Sequence, residues 1–333
     1  VLAVSLLSGA LRPREAAVAD VTPSPSPTIT ATPEDAPTPR PTRTPAPSAQ
    51  LDVAEPSLPV VDAPRGDLRF GLTPTAPYVL TPHPANRPVE DVAAAFYAGR
   101  YEEALALAEQ ARAGDEPPPD LVYFEAASLL QLGETARAVR LAELGVAQED
   151  SFAPLHVVLA EGYTRQGSFE RARVAAKRAR SLDPRLIAGY IALAELYLEQ
   201  GDYDAAHTEV EAGRIVRKYD VNLQVLASRI HLARGDAENA TAYANLAYYI
   251  DPGAEPVVLA LARGRLALGF NERAIIGLED FLYEVNPSSA EAWALLGQAY
   301  GRQRRTADAQ MAYARALQLS GDASLALAER GRL

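Results

Sequence analysis

LHVVLAEGYTRQGSFERARVAAKRARSLDP, residues 155–184, is two helical periods around a break. In the first half Val158, Leu159, Gly162 and Tyr163 fall on one face at i, i+1, i+4, i+5 spacing; in the second half Ala172, Ala176 and Ala179 fall on another. Gln166, Gly167 and Ser168 separate them. Glycine supplies the left-handed backbone needed just past a helix end, and Pro184 cannot continue the second helix inward. The stretch is therefore a helical hairpin.

The same context recurs. Gly99, Gly133, Gly167, Gly201, Gly235 and Gly269 stand 34 residues apart, within GRYEEA, GETARA, GSFERA, GDYDAA, GDAENA and GFNERA. Each is followed five residues later by alanine: Ala104, Ala138, Ala172, Ala206, Ala240 and Ala274. A fixed period of this kind outranks any local pattern. A seventh copy runs one residue out of phase, with Trp293, Leu296, Gly297, Tyr300, Ala309, Tyr313 and Ala316 at the expected spacing and Arg304 in place of the turn glycine.

On these residues the chain resembles the tetratricopeptide repeat family from Pro88 to Ser320: the period, the Trp-Leu-Gly-Tyr series of the last copy, the alanine slots and the closing prolines Pro184, Pro252 and Pro287 agree. His156, Tyr190, Gln224 and Val258 stand where the family often has tryptophan. The resemblance implies an all-α protein, a right-handed α-solenoid of about seven hairpins over 88–320, in which each hairpin covers its neighbour's apolar face.

The rest of the chain divides by composition. Val1 to Leu11 is apolar and uncharged, too short for the ~20 residues that cross a bilayer. With Ala17-Val18-Ala19 before Asp20, segment 1–20 reads as the remnant of an export signal or anchor; an ordinary buried helix is the alternative. Segment 21–50 alternates Pro with Thr and Ser, has almost no large apolar residue, and is expected to be an extended stalk. Thr22, Ser24, Ser26, Thr28, Thr38, Thr42 and Thr44 are its O-glycosylation candidates, against a plain unmodified spacer. Segment 51–87 carries Leu68, Phe70 and Leu72 in LRFGL and Tyr78 and Leu80 in APYVL. Leaving such side chains in water costs about 1.5–3 kcal/mol each, so part of Leu68–Leu80 is expected to dock on a repeat surface, its own or a neighbour's. Residues 321–333 are expected to form a short C-terminal cap, with Leu325 and Leu327 facing inward.

The net charge is −11, of which residues 1–88, with seven Arg against eight Asp or Glu, carry one negative charge. An acidic array has no basic stripe with which to release counterions from phosphate, so no nucleic-acid partner is expected. The chain has no cysteine, which removes disulfides, thiolate metal sites and cysteine nucleophiles together. His83, His156, His207 and His231 have no second histidine or cysteine at helical spacing; His156 and His231 fall at packing slots, and His207 is expected on an exposed face. Ser-His-Asp, P-loop and GxGxxG patterns are lacking, and pairs such as Glu102 and Glu103 read as solvated faces. Asn239-Ala240-Thr241 spells a glycosylation sequon, but Ala240 is a packing slot. No catalytic site, metal or cofactor is expected, and function falls to a surface.

In the family the first helices of the hairpins line a groove that receives a peptide or protein. Projecting the period gives one row of Val89, Tyr123, Val157, Ile191, Val225 and Leu259, and a second of Phe96, Leu130, Thr164, Leu198, Leu232 and Leu266. Between them run Ala93, Ala127, Glu161, Glu195, Arg229 and Arg263. Members that clasp a terminal carboxylate use Lys, Asn and Arg in these rows. Mostly aliphatic rows suit instead an extended or helical segment with large apolar side chains, its direction set by the change from Glu to Arg. The alternative is that superhelical curvature buries the rows. Two functions follow: a non-enzymatic extracytoplasmic scaffold, bacterial in keeping with the lack of cysteine, that displays the groove on a stalk; or a surface filament subunit, docking head-to-tail on other copies. Membrane contact is expected only through a retained anchor.

Overall fold

The computed structural model describes residues 87–112 and 117–320. Segment 1–20, the stalk with its O-glycosylation candidates, Leu68, Phe70, Leu72, Tyr78 and Leu80, and the cap over 321–333 lie outside the described residues.

Among the described residues fourteen helices form seven hairpins: α1 (Arg87–Tyr97) with α2 (Tyr101–Ala111), α3 (Pro119–Gln131) with α4 (Thr135–Gln148), α5 (Ala153–Arg165) with α6 (Phe169–Leu182), α7 (Ile187–Glu199) with α8 (Tyr203–Val216), α9 (Val221–Ala233) with α10 (Ala237–Ile250), α11 (Glu255–Ala267) with α12 (Asn271–Glu284), and α13 (Ala290–Arg302) with α14 (Thr306–Ser320). No strand occurs among the described residues.

Each hairpin turns where the period places its glycine. At Gly167 the backbone takes φ +72°, and the amides of Gly167 and Ser168 reach back to Thr164 O at 2.9 Å and Tyr163 O at 2.8 Å. These are the two bonds that satisfy the last carbonyls of a helix ending in a left-handed residue. In the seventh hairpin Arg304 takes the same conformation at φ 59°, so the arginine substituted for glycine keeps the turn. Two second helices begin at aspartate caps, Asp202 accepting from the Ala205 amide at 3.0 Å and Asp236 from that of Asn239 at 3.1 Å, whereas Ser168 at the start of α6 makes no such bond.

The alanine slots are the contact between the two helices of a hairpin; Ala104, Ala138, Ala172, Ala206 and Ala240 are fully buried. Between hairpins, Gly162 brings α5 against α4 so closely that a Cβ there would collide with Val139 Cγ2. Consecutive first helices approach one another all along the array, from α1 and α3 to α11 and α13, whereas no two second helices do. First helices therefore make an inner layer and second helices an outer one, the arrangement of a right-handed α-solenoid.

The buried apolar residues are not one continuous cluster. One block runs from Val89 to Leu196 through α1–α7, another from Val258 to Ala316 through α11–α14. Two smaller groups bridge them, one around Leu223, Leu226 and Ile230 and one around Ala244, Ala247 and Val257.

Candidate functional site

The inner layer is where the projected rows come together. Its two ends are covered: Val89, Ala93, Tyr123, Ala127 and Leu130 at one, Leu259 and Leu266 at the other, and Val225 between them are buried. Val157, Thr164, Ile191, Leu198 and Leu232, on α5, α7 and α9, are partly exposed, as is Phe96 on α1. The surface open to a partner is therefore the middle of the array, where aliphatic side chains from three consecutive first helices lie along one face.

The polar row between them is paired within the protein. Glu195 on α7 bonds Arg229 on α9 at 3.1 Å, Arg263 on α11 bonds Glu291 on α13, and Glu161 bonds Arg165 one turn away at 2.5 Å. Arg165 also reaches across to the carbonyl of Leu130 at the end of α3, and Arg302 does the same for Leu266 at the end of α11. These carbonyls already accept from the turn amides of Gly133 and Gly269, so the arginines add a second bond to each and clamp neighbouring first helices together. Arg165, Arg302 and Glu291 are outside the projected rows. Burial holds the Glu161 carboxyl above the usual glutamate range; Arg165 opposes this and Glu195 adds to it by repulsion. The change from Glu to Arg along the row thus serves lateral pairing, and what remains for a partner is apolar shape.

A second set of polar groups joins inner to outer layer. Tyr163 on α5 donates to Glu143 on α4 at 2.7 Å, while Arg171 covers the ring at 4.1 Å and bonds the same carboxylate at 2.7 Å. Tyr300 repeats this on α13, donating to the fully buried Glu279 at 2.6 Å under Arg305 at 4.2 Å. Burial and then the bond to Glu143 push the Tyr163 hydroxyl up to about 12.

The histidines are placed by packing. His156 is buried with Nε2 2.9 Å from the Asp150 carbonyl. His231 is buried, whereas His207, expected on an exposed face, is only partly exposed and stands edge-on to His231 with ring centroids 5.3 Å apart. Two helices folded back on each other bring α8 to the end of α9, which removes His207 from open solvent. Among the described residues no three His, Cys, Asp or Glu side chains are grouped to hold a metal ion, and no helix is long and apolar enough to cross a membrane. In the glycosylation sequon Asn239 is exposed and donates to Asp236 at 2.7 Å, but Ala240 and Thr241 are fully buried within α10.

Three tetratricopeptide repeat models match the chain, over residues 163–217, 191–255 and 290–322. No curated protein sequence matches it. Among solved structures it is similar to a thermophilic TPR protein in Thermus thermophilus, with TM-score 0.51 and 23% identity over 54% of this chain and 97% of that one. A tetratricopeptide repeat protein from Parabacteroides merdae gives TM-score 0.54 and 15% identity over 73% of this chain and 95% of that one. A chain of the APC/C hetero-tetramer Cut9-Hcn1 gives 0.60 and 15%, over 75% of this chain and 49% of that one. At such identities the likeness is one of fold.

Proposed function

We propose, from the premise that this chain is a tetratricopeptide repeat protein, that it is a non-enzymatic protein-protein interaction scaffold whose partner lies against α5, α7 and α9. One observation carries the reading: Val157, Thr164, Ile191, Leu198 and Leu232 are the part of the inner layer left partly exposed, while the charges among them are already paired. A partner gains by covering aliphatic surface and meets no net charge that demands a compensating one, so it should present an apolar face, as an amphipathic helix or an extended segment does. Display outside the cytoplasm on the Pro/Thr/Ser-rich segment 21–50 belongs to the proposal and rests on composition alone.

The test is retention of partners by the full chain and by Val157→Asp with Ile191→Asp. The paired carboxylates should abolish capture of proteins that the unaltered chain retains, with far-ultraviolet ellipticity unchanged. Equal retention by the two chains counts against this surface.

Self-assembly is the second reading, supported by Leu68, Phe70, Leu72, Tyr78 and Leu80 in a segment otherwise composed as a linker. Light scattering on the full chain and on a chain lacking residues 51–87 separates the two. Loss of polymers on deletion supports the filament, whereas a full chain that is monomeric at micromolar concentration excludes it.

A further inference from the structure

The tyrosine that joins α5 to α4 has the same repeat position as Tyr197, and its seventh-copy counterpart is Tyr300; in the fifth hairpin that position is His231. Its surroundings differ accordingly. The imidazole of His231 stacks on Tyr243 with centroids 5.2 Å apart and planes 22° from parallel, and His207 of α8 meets it edge-on at 88°. Nδ1 lies 3.0 Å from Asp236 Oδ2, the N-cap of α10, while Nε2 is buried with no hydrogen-bond partner. The charged and titratable groups around the two rings come from all three helices packed there. From α8 come Glu211, 3.9 Å from His207 Nε2, and Arg214, buried over the Tyr243 ring at 5.3 Å and bonded to Glu211 at 2.5 Å. Arg234, just past the end of α9, bonds Asp204 of α8; Asp236 and Tyr243 belong to the start and body of α10.

We propose that this junction between the fourth and fifth hairpins is a proton-sensitive hinge. With both imidazoles neutral, the rings pack edge-to-face and hold α8 against α9 and α10. A proton on His207 sets a cation edge-on against the His231 ring and beside Arg214 and Arg234, and this loosens the junction. Its position in the array gives the loosening a consequence. The junction falls between the two large buried blocks, among all second-to-first helix junctions α8 and α9 are the least closely packed, and Ile191 and Leu198 lie on one side of it with Leu232 on the other. Opening would part the apolar rows of the inner layer.

The sign is fixed by His207. Burial lowers its pKa; Glu211 pulls against this, and His231, Arg234 and Arg214 add to the lowering. A histidine depressed on folding contributes stability that is complete above its unfolded value of about 6.5 and is lost as pH falls below it. Asp236 acts at lower pH: burial raises its pKa, but bonds from Asn239 and His231 outweigh this and lower it, so its contribution disappears only below the ordinary aspartate range.

Hydrogen exchange of the full chain at about pH 7.5 and 5.5, corrected for intrinsic rates, decides the matter. Each proton taken up only by the open junction shifts its opening equilibrium by up to about tenfold per pH unit. Amides of α8–α10 should lose protection on acidification, while those of α3, α4 and α13 keep theirs. His207→Ile, which places there the residue found as Ile275 two hairpins later, and His231→Tyr, which restores the residue of Tyr163, should each remain folded at neutral pH and flatten the pH response. Where His231→Tyr fails to fold, His207→Ile alone decides. Protection of α8–α10 that is the same at both pH values, a loss spread evenly over the array, or a loss that persists in His207→Ile overturns the hinge.

Discussion

Alanine at Gly167 and alanine at Gly162 should both destabilise the chain, for unrelated reasons. Gly167 sits at φ +72° with nothing within 4 Å of where a Cβ would be, so alanine there meets only the left-handed backbone penalty of about 1–2 kcal/mol. Gly162 is helical, and its alanine would drive into Val139 Cγ2, an overpacking that costs about 1–3 kcal/mol. Val139→Ala opens that space. In urea denaturation it should rescue part of the Gly162→Ala loss and none of the Gly167→Ala loss; equal effects on both would remove the packing account. The complementary prediction is at Arg304, which holds the same turn at φ 59°: Arg304→Gly should raise stability by roughly 0.5–1 kcal/mol, the strain removed less the flexibility added. Turn glycines and alanine slots were legible because a period of 34 repeats them six times. The role of Gly162 was legible only as a face, since its neighbour Val139 comes from the preceding hairpin and no spacing within one repeat names it.

Between helices, the two tyrosine bridges differ in how much they leave behind when cut. Tyr300→Phe takes the 2.6 Å bond from Glu279, whose side chain is wholly buried, and a buried acceptor that loses a partner costs about 1–3 kcal/mol. Tyr163→Phe leaves Glu143 half-exposed and still bonded to Arg171, so the loss should be under about 1 kcal/mol. Chemical denaturation of the two variants should rank them in that order. They should also part on acidification. The Tyr163 hydroxyl, ahead of Arg171 and against burial, lowers the Glu143 pKa; a carboxylate depressed on folding contributes above the ordinary glutamate range and less below it, so Tyr163→Phe should flatten stability against pH there. The period located the tyrosines but not their carboxylates, which stand on the outer helix of the hairpin before. The paired charges of the inner layer are a different case. Glu195 and Arg229 are 34 residues apart, so one position in successive repeats holds opposite charges; in a stack of repeats such residues are neighbours, and their pairing was available from the sequence. What spacing could not supply is which rows stay open, because burial depends on how each hairpin leans on the next.

At the scale of the molecule, a stack in which each hairpin touches only its neighbours has cooperativity no longer than its continuous core. That core breaks into a block through α1–α7 and a block through α11–α14, with smaller groups between. The chain carries one tryptophan, Trp293, and it lies in the second block, 2% exposed, with Nε1 donating to the Pro287 carbonyl at 3.0 Å and its ring edge-on to Tyr283. Its emission therefore reports α11–α14 alone, whereas far-ultraviolet ellipticity reports every helix. The two unfolding curves should not coincide, the ordinary sign that unfolding is more than two-state. Substitution assigns the phases. Leu295→Ala, at 1% exposure in the second block, removes about 2–5 kcal/mol of packing and should lower the emission midpoint together with only part of the ellipticity change. Leu155→Ala, fully buried in the first block, should move the remaining part and leave emission where it was. If each substitution shifts both signals equally, the array unfolds as a single unit and the hairpins between the blocks transmit stability in full. If the curves separate at neutral pH and separate further near pH 5.5, the added gap belongs to the junction of His207 and His231, the place where the two blocks are least tied together.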